Sequence, residues 1–168
     1  MPDRELYLNG ERICRVSAPD YEWAARFVWT ATSNGHGNFY VARWEFVAGR
    51  RRKVYLHRLI VQPPPRLLVD HRNGDTLDNR RGNLRVATRA QNGANWCPAS
   101  GYRGVTRRGA RWRARVKAGN RVESLGTFDT PEEAARAYDA RAVELFGEFA
   151  WTNLGREVNF EEEHPVPF

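Results

Sequence analysis

The sequence contains only two cysteines, Cys14 and Cys97, which stand far apart with no second cysteine near either. This spacing excludes a CxxC zinc ribbon and argues against a secreted framework of disulfides. No apolar run approaches the roughly 18 residues that a membrane-spanning helix requires. The N-terminus also lacks the basic and then apolar pattern of a signal peptide. We therefore expect the protein to work in the reducing cytoplasm.

Lysine is scarce as well, since Lys53 and Lys117 are the only lysines among 27 basic residues. The formal net charge is +7 and is unevenly distributed: residues 97–121 carry eight basic residues and no acid, whereas residues 122–168 carry three basic and 11 acidic residues. Clustered positive charge is typical of proteins that bind a polyanion. Arginine suits nucleic acid because it forms planar, bidentate contacts with phosphate and guanine, but a coding bias toward arginine explains the composition equally simply.

The first 60 residues are interpreted as short strands. Apolar and polar residues alternate over residues 39–46, which predicts one strand. A second strand is predicted over residues 54–61, and the prolines at 63–65 end it. The basic run at residues 50–53 precedes this second strand. It is either a solvated turn between two strands or a contact with backbone phosphates.

Residues 67–95 are predicted to form a ββα unit. A short apolar strand leads into the turn signal Asn73-Gly74, and residues 84–86 form a brief return strand. Thr88 then opens a helix, because a glutamine follows it three residues later in the capping-box pattern.

Four polar residues of this unit are suited to chemistry. Asp70 and His71 end the first strand, Asn83 follows His71 by 12 residues, and Asn92 follows Asn83 by nine. A ββα hairpin of this length folds these positions together. Hydrolysis of a phosphodiester by an activated water needs a base for the proton and a cation for the departing oxygen. The four residues together offer such a set.

The motif residues of this segment are His57-Arg58-Leu59, Val69-Asp70-His71, Asn73-Gly74, Asp78-Asn79, Asn83-Leu84-Arg85, Gln91-Asn92 and Asn95. Over roughly residues 54–95 they resemble the HNH endonucleases of phage and intron origin. The resemblance implies that His71 is the general base, that Asn83 orients its ring, and that Asp70 and Asn92 bind one divalent metal ion. Both ligands offer hard oxygen atoms, so Mg²⁺ or Mn²⁺ is favoured over zinc. His57 is either a buried structural residue or an accessory group near the phosphate.

The last third of the chain is predicted to form a three-stranded antiparallel meander followed by a helix. Thr130 and Pro131 give the helix an N-cap and a proline in its first turn, and Gly147 ends it. The candidate strands are residues 102–107, 111–117 and 121–125.

Every second residue of the middle strand is basic, namely Arg111, Arg113, Arg115 and Lys117. A strand has a period of two, so these four cations share one face and the apolar residues between them face the helix. The cations repel one another, and no acid lies between residues 97 and 122 to relieve the repulsion. A sheet that lies in the major groove of DNA explains this pattern better than a merely solvated face.

Further motif residues of this region are Gly101-Tyr102-Arg103-Gly104-Val105, Trp112-Arg113-Ala114, Leu125-Gly126-Thr127-Phe128-Asp129-Thr130, Ala134-Ala135-Arg136-Ala137-Tyr138-Asp139 and Asn153. Over about residues 100–153 they resemble the Apetala-type (ethylene-response-factor) DNA-binding domain. The resemblance implies that the sheet, rather than the helix, contacts duplex DNA. Plant members carry an exposed tryptophan where this chain has Gly109, so their base preference is not carried over. The candidates for DNA contact are Arg103, Arg107, Arg111, Arg113, Arg115, Lys117 and Arg121.

We therefore expect an α+β protein, with a ββα-metal HNH nuclease fold and N-terminal strands followed by a three-stranded antiparallel sheet packed on one helix. The expected function is metal-dependent cleavage of double-stranded DNA, of the homing or nicking type, by a monomer or homodimer in a prokaryotic or phage-infected cell. The alternatives are a non-enzymatic DNA-binding transcription regulator and an RNA-directed or structural basic protein. The predicted boundaries are a nuclease domain at residues 1–96 with its core motif at 54–95, a linker at 97–101, a DNA-binding domain at 102–154 and an acidic tail at 155–168.

Overall fold

A computed structural model of the chain describes residues 2–9, 12–35, 37–95 and 101–155. The prediction of a mixed α+β protein is confirmed, since short strands in small sheets alternate with four α-helices over these ranges. Among the described residues, no helix is long and apolar enough to cross a membrane.

The chain divides into two compact units, residues 1–89 and residues 90–168. Apart from Gly101, the predicted linker lies outside the described residues, and the predicted acidic tail does so apart from Gly155.

The first unit contains three small sheets. The first sheet has the order β1-β2-β7, in which β1 and β2 are antiparallel and β2 and β7 are parallel. The second sheet is β3-β4-β5 and the third is β6-β8, and both are antiparallel. The elements, in chain order, are β1 (Arg4–Tyr7), β2 (Ile13–Val16), α1 (Ala18–Ala24), β3 (Thr30–Ser33), β4 (Phe39–Val47), β5 (Arg50–Tyr55), α2 (Leu56–Val61), β6 (Leu68–His71), β7 (Asp78–Asn79), β8 (Leu84–Ala87) and α3 (Arg89–Ala94), the last of which crosses into the second unit.

The core of the first unit draws one or two buried apolar side chains from each of seven elements. Strands of four residues bury little surface individually, so the unit depends on this shared core for its stability. Trp29 belongs to this core with 2% of its surface exposed, and its indole N–H donates a hydrogen bond to the carbonyl of Ala24 at 2.9 Å. The buried members are Leu6, Leu8, Cys14, Val16, Ala24, Trp29, Val41, Leu56, Ile60, Val69 and Leu84.

The strand predicted at residues 54–61 is wrong. β5 begins earlier, at Arg50, and the chain turns helical at Leu56. Leu56 and Ile60 are four residues apart and both are buried, which is the spacing of one face of a helix. A short run of apolar residues fits either a strand or a helix by its pattern, and here packing of α2 on the core decides in favour of the helix. The basic run 50–53 therefore lies within a strand and is not a turn.

The second unit confirms the predicted meander and helix. β9 (Val105–Arg108), β10 (Arg111–Ala118) and β11 (Arg121–Phe128) form an antiparallel sheet in the order β11-β10-β9. Helix α4 (Pro131–Phe146) begins with the capping box between Thr130 and Glu133 and ends at Gly147.

Helix α4 packs closely on β10 through small side chains. Ala114 and Val116 of β10 are at most 1% exposed, and Tyr138 and Ala142 of the helix are at most 3% exposed. The alternation predicted for the middle strand is therefore confirmed, because its apolar residues face the helix. This leaves the other face of the sheet to the basic residues.

Candidate active site and nucleic-acid interface

The side chain of Asn83 braces the loop between β6 and β8. Its Oδ1 accepts a hydrogen bond from the backbone N–H of Asn73 at 3.0 Å, and its Nδ2 donates to the backbone carbonyl of Asp78 at 2.8 Å. The backbone carbonyl of Asn83 accepts a further bond from the N–H of Arg72 at 2.8 Å. These three bonds tie the start of the loop to its end and fix the end of β6, where His71 stands.

His71 is buried, with 4% of its surface exposed. Burial lowers the pKa of His71; the hydrogen-bonding interaction with Asn79 and the negative charges of Asp70, Asp75 and Asp78 oppose this shift without cancelling it. The imidazole is therefore neutral at neutral pH, the state in which it can accept a proton.

Asn79 is a second amide that influences His71, and the role predicted for Asn83 in orienting the His71 ring stays a prediction. The backbone of Asn79 belongs to β7, which pairs with β2, and the residue is fully buried. Its Nδ2 donates to Sγ of Cys14 at 3.4 Å and to the carbonyl of Thr76 at 3.3 Å.

Asp70 lies directly before His71 and forms a buried ion pair with Arg85 of β8. The Nε and Nη2 atoms of Arg85 both lie 2.8 Å from Oδ2 of Asp70, and the two side chains are 7% and 6% exposed. The opposed positions of the two residues in the β6-β8 register explain the contact. Arg85 compensates the charge of the predicted metal ligand, a role that the sequence did not assign to it.

His57 stands in a cluster of four rings with Tyr40, Tyr55 and His71. Its ring lies 5.3 Å from that of His71, edge-on, and stacks on that of Tyr55 at 5.6 Å. Burial, followed by the charges of His71 and Arg58, lowers the pKa of His57 to about 3. Its Nδ1 has no hydrogen-bond partner within the part of the chain that the structure describes. This neutral ring packs beside the candidate base, and an accessory role near the phosphate stays a prediction.

The two predicted metal ligands fall in different units. Asp70 belongs to the first unit, whereas Asn92 lies on α3 at a position that belongs to the second. Over the described ranges, no group of three or more histidine, cysteine or acidic side chains is close enough to hold a metal ion. One carboxylate and one amide oxygen suit a hard cation such as Mg²⁺, which keeps several waters and takes substrate phosphate oxygens as further ligands. The donor chemistry therefore fits, and the joint binding by Asp70 and Asn92 stays a prediction.

A basic face covers the sheet of the second unit on the side away from α4. In the register, Arg108 lies opposite Arg111 and Thr106 lies opposite Arg113, and opposed residues share a face. Desolvation, followed by the positive charges of Arg108 and Arg115, lowers the pKa of Arg113. The basic face thus consists of Arg108, Arg111, Arg113, Arg115 and Lys117.

The register separates two predicted contact residues from this face. Arg107 lies opposite Trp112, and Arg121 lies opposite Ala118, so both belong to the side of the sheet that faces the helix. Arg108, which the sequence interpretation passed over, takes the position on the basic face.

Arg103 is placed differently from the other candidates. It precedes β9, and its guanidinium donates hydrogen bonds to the carbonyls of Gly93 and Ala94. Its backbone is also held by Asn153, which accepts from the N–H of Arg103 at 2.7 Å and donates to its carbonyl at 3.2 Å. These bonds give Arg103 a structural role, and its contact with DNA stays a prediction.

Known proteins match the two parts of the chain separately. Residues 54–94, which hold His71 and its surroundings, match the family described as HNH endonuclease, and residues 100–148, which hold the basic sheet, match the family described as AP2 domain. The chain contains an HNH endonuclease domain and an AP2 domain. Both resemblances inferred from the sequence are confirmed.

Two individual relatives carry the names of these two families. An uncharacterized HNH endonuclease of Acanthamoeba polyphaga mimivirus is 35% identical over 108 residues, which cover 60% of this chain and 58% of that protein. An AP2-like ethylene-responsive transcription factor of Arabidopsis thaliana is 52% identical over 65 residues, which cover 36% of this chain and 11% of that protein. The chain thus spans little more than half of the first relative and about a tenth of the second.

Three residues have contacts that the sequence interpretation did not predict, because these contacts depend on which strands pair. Asn79 and Arg85 are motif residues of the HNH segment, but their neighbours become visible only when β7 pairs with β2 and β8 with β6. Arg108 of the AP2 segment lies outside the alternating basic residues of β10. It belongs to β9 and joins the basic face only because it lies opposite Arg111 in the sheet.

Proposed function

We propose that this protein is a metal-dependent DNA endonuclease of the homing or nicking type, which hydrolyses phosphodiester bonds in double-stranded DNA. The observation that carries the proposal is the buried, neutral His71 at the end of β6, beside Asp70, within the segment that matches the HNH endonucleases. The mimivirus relative that shares this segment is named as an HNH endonuclease.

In the proposed reaction, His71 accepts the proton of the attacking water. Its neutral imidazole has the vacant proton site that a general base requires. Asn83 keeps the loop folded, so that β6 ends at the right place and the His71 ring keeps its orientation. Asn83 is thus a positioning residue, whereas His71 contacts the reacting water.

Asp70 and Asn92 are the residues that would hold the metal ion, which we propose to be Mg²⁺ or Mn²⁺ because both ligands offer hard oxygen atoms. When bound, such an ion stabilises negative charge on the phosphate and on the leaving oxygen. Arg85 keeps the carboxylate of Asp70 in place through their ion pair.

The AP2 segment is proposed to hold the duplex through its basic face. Arg113 and Arg115 stand at the centre of that face, and alternation along β10 directs them away from α4. Arginine at such positions contacts phosphates and guanine edges in the major groove.

A non-enzymatic DNA-binding regulator is the second candidate, because the AP2 domain alone suffices for binding and the Arabidopsis relative is named as a transcription factor. The presence of Asp70, His71, Asn83 and Asn92 at their motif positions favours the nuclease, since a regulator has no need of this set.

Incubation with supercoiled plasmid separates the two candidates. We expect relaxed or linear plasmid with Mg²⁺, and no cleavage with a chelator or with His71→Ala purified in the same way. Intact plasmid from several sources, despite tight duplex binding by the wild type, would support the regulator instead.

The assignment of DNA reading to the basic face has its own matched test. Arg113→Ala/Arg115→Ala is expected to weaken duplex binding and to lower the slope of log affinity against log salt by about 2. Arg107→Ala/Arg121→Ala removes the same charge from the helix side of the sheet, and we expect a smaller change. Equal effects of the two pairs, or a loss of metal binding in the first, would contradict the division of labour between the segments.

A further inference from the structure

A long hairpin of the first unit lies almost wholly outside both matched segments. Strands β4 and β5 are joined by Ala48 and Gly49 with φ angles of 51° and 74°, as in the two-residue turns that favour twisted hairpins. The HNH match begins at residue 54, so most of this hairpin has no role assigned by the comparisons. We propose that one face of the hairpin is a third DNA-contacting surface, which guides a strand of the duplex toward His71.

The strand register defines this face. Trp44 lies opposite Lys53, and Phe46 lies opposite Arg51; opposed residues share a face, as do alternate residues of one strand. Four aromatic and two basic side chains are thereby collected on the same side. We call this surface the aromatic–basic face, and it consists of Tyr40, Trp44, Phe46, Arg51, Lys53 and Tyr55.

The outer part of this face is open to solvent. Trp44 is 48% exposed and Phe46 is 77% exposed. The guanidinium carbon of Arg51 lies 4.2 Å from the centroid of a Trp44 ring, and Nζ of Lys53 lies 5.1 Å from it. Exposed aromatic rings flanked by cations suit nucleic acid, because the cations contact phosphates and the rings pack on sugars or on unstacked bases.

The positive charge of the aromatic–basic face favours duplex DNA as the partner over a second copy of the chain. Glu45 points to the opposite side of the hairpin, where it pairs with Arg43 and, at 3.3 Å, with Arg52. Arg51 and Lys53 take part in neither pair. A second copy of the chain would bring like charges together on this face, whereas duplex DNA supplies the complementary charge.

The face continues into the candidate active site. The ring of Tyr40 lies 6.2 Å from that of His71, and the ring of Tyr55 stacks on that of His57 at 5.6 Å. A cavity of about 290 Å³ opens where the face meets this ring cluster, and Lys53 is among the residues that line it. DNA that lies along the hairpin is thus led to the candidate base. The choice of duplex DNA as the partner rests on the proposed function.

A pair of charge-matched variants of the full-length chain tests the proposal. Arg51→Ala/Lys53→Ala removes two cations from the aromatic–basic face, and Arg50→Ala/Arg52→Ala removes two from the opposite face of the same strand. Equilibrium binding to a duplex is measured in chelator over roughly 50–300 mM NaCl, where each lost phosphate contact lowers the log–log slope by about 0.9. We expect a decrease of about 2 for the first variant and of less than about 1 for the second.

Equal decreases in the two variants, or an unchanged slope in the first, would overturn the proposal. Should the first variant fail to fold, the single substitution Arg51→Gln at an exposed position replaces it, with an expected decrease of about 1. Plasmid cleavage with Mg²⁺ is scored separately. Cleavage with unaltered slopes refutes the hairpin surface alone, whereas altered slopes without any cleavage refute the nuclease alone.

Discussion

Replacement of Gly104 by alanine is predicted to destabilise the second unit far more than replacement of Gly109. Gly104 has a φ of 72°, and a Cβ at this position would lie 2.2 Å from Cδ2 of Tyr138 and 2.4 Å from the backbone carbonyl oxygen of Arg115. Gly109 has a φ of 62°, but nothing lies within 4 Å of its Cβ position. The pair therefore separates the cost of a positive φ from the cost of a steric clash.

The left-handed conformation costs an alanine about 1–2 kcal/mol at either position. Overpacking adds about 1–3 kcal/mol at Gly104 alone, because an aromatic ring and a strand must move to admit the methyl group. We expect a loss of unfolding free energy of about 2–5 kcal/mol for Gly104→Ala and about 1–2 kcal/mol for Gly109→Ala.

Hydrogen exchange followed by mass spectrometry suits this comparison, since peptides from β10 and α4 report on the second unit within the full chain. The difference between the variants corresponds to roughly a 5- to 150-fold faster exchange of β10 in Gly104→Ala. Equal exchange in the two variants would refute the close packing of Tyr138 on this glycine.

Two further predictions concern the first unit. Burial lowers the pKa of His57 to about 3, so the unfolded chain takes up this proton first as the pH falls below about 6.5. The folded state therefore loses up to about 1.4 kcal/mol of unfolding free energy per pH unit down to pH 3. Urea unfolding should show that His57→Phe is spared about 2 kcal/mol of this loss between pH 6.5 and about 4.5, and an unchanged pH dependence would contradict burial of a neutral ring. Arg85→Met leaves the carboxylate of Asp70 buried without its partner and should cost about 3–5 kcal/mol of unfolding free energy. The double variant Asp70→Asn/Arg85→Met should recover most of this stability without restoring cleavage. Equal stability of the single and double variants would contradict an ion pair.

The sequence predicts local structure well where caps and periodicity agree. Helix α4 follows the signals at Thr130 and Gly147, and the alternation of β10 correctly places its apolar residues against the helix. The segment around His71 also has the predicted order of strand, turn and strand. In each case the information lies within a few neighbouring residues.

Features that depend on distant pairing could not be predicted in this way. Asn79 contacts Cys14 because β7 pairs with β2, more than 60 residues earlier in the chain. The exchange of Arg107 for Arg108 on the basic face depends on a register that no local pattern fixes. The sequence predicts a strand where α2 forms, because this apolar run is too short for its periodicity to distinguish a helix from a strand.

Single-turnover cleavage of an end-labelled duplex tests the central claim most directly. Wild type and His71→Ala are compared at saturating protein with Mg²⁺, and duplex binding is measured in parallel with chelator. Loss of the general base should slow cleavage by about 10²- to 10⁴-fold and leave binding unchanged. Cleavage by His71→Ala at the wild-type rate would contradict the assignment of the base, and the absence of cleavage by the wild type itself would contradict the nuclease.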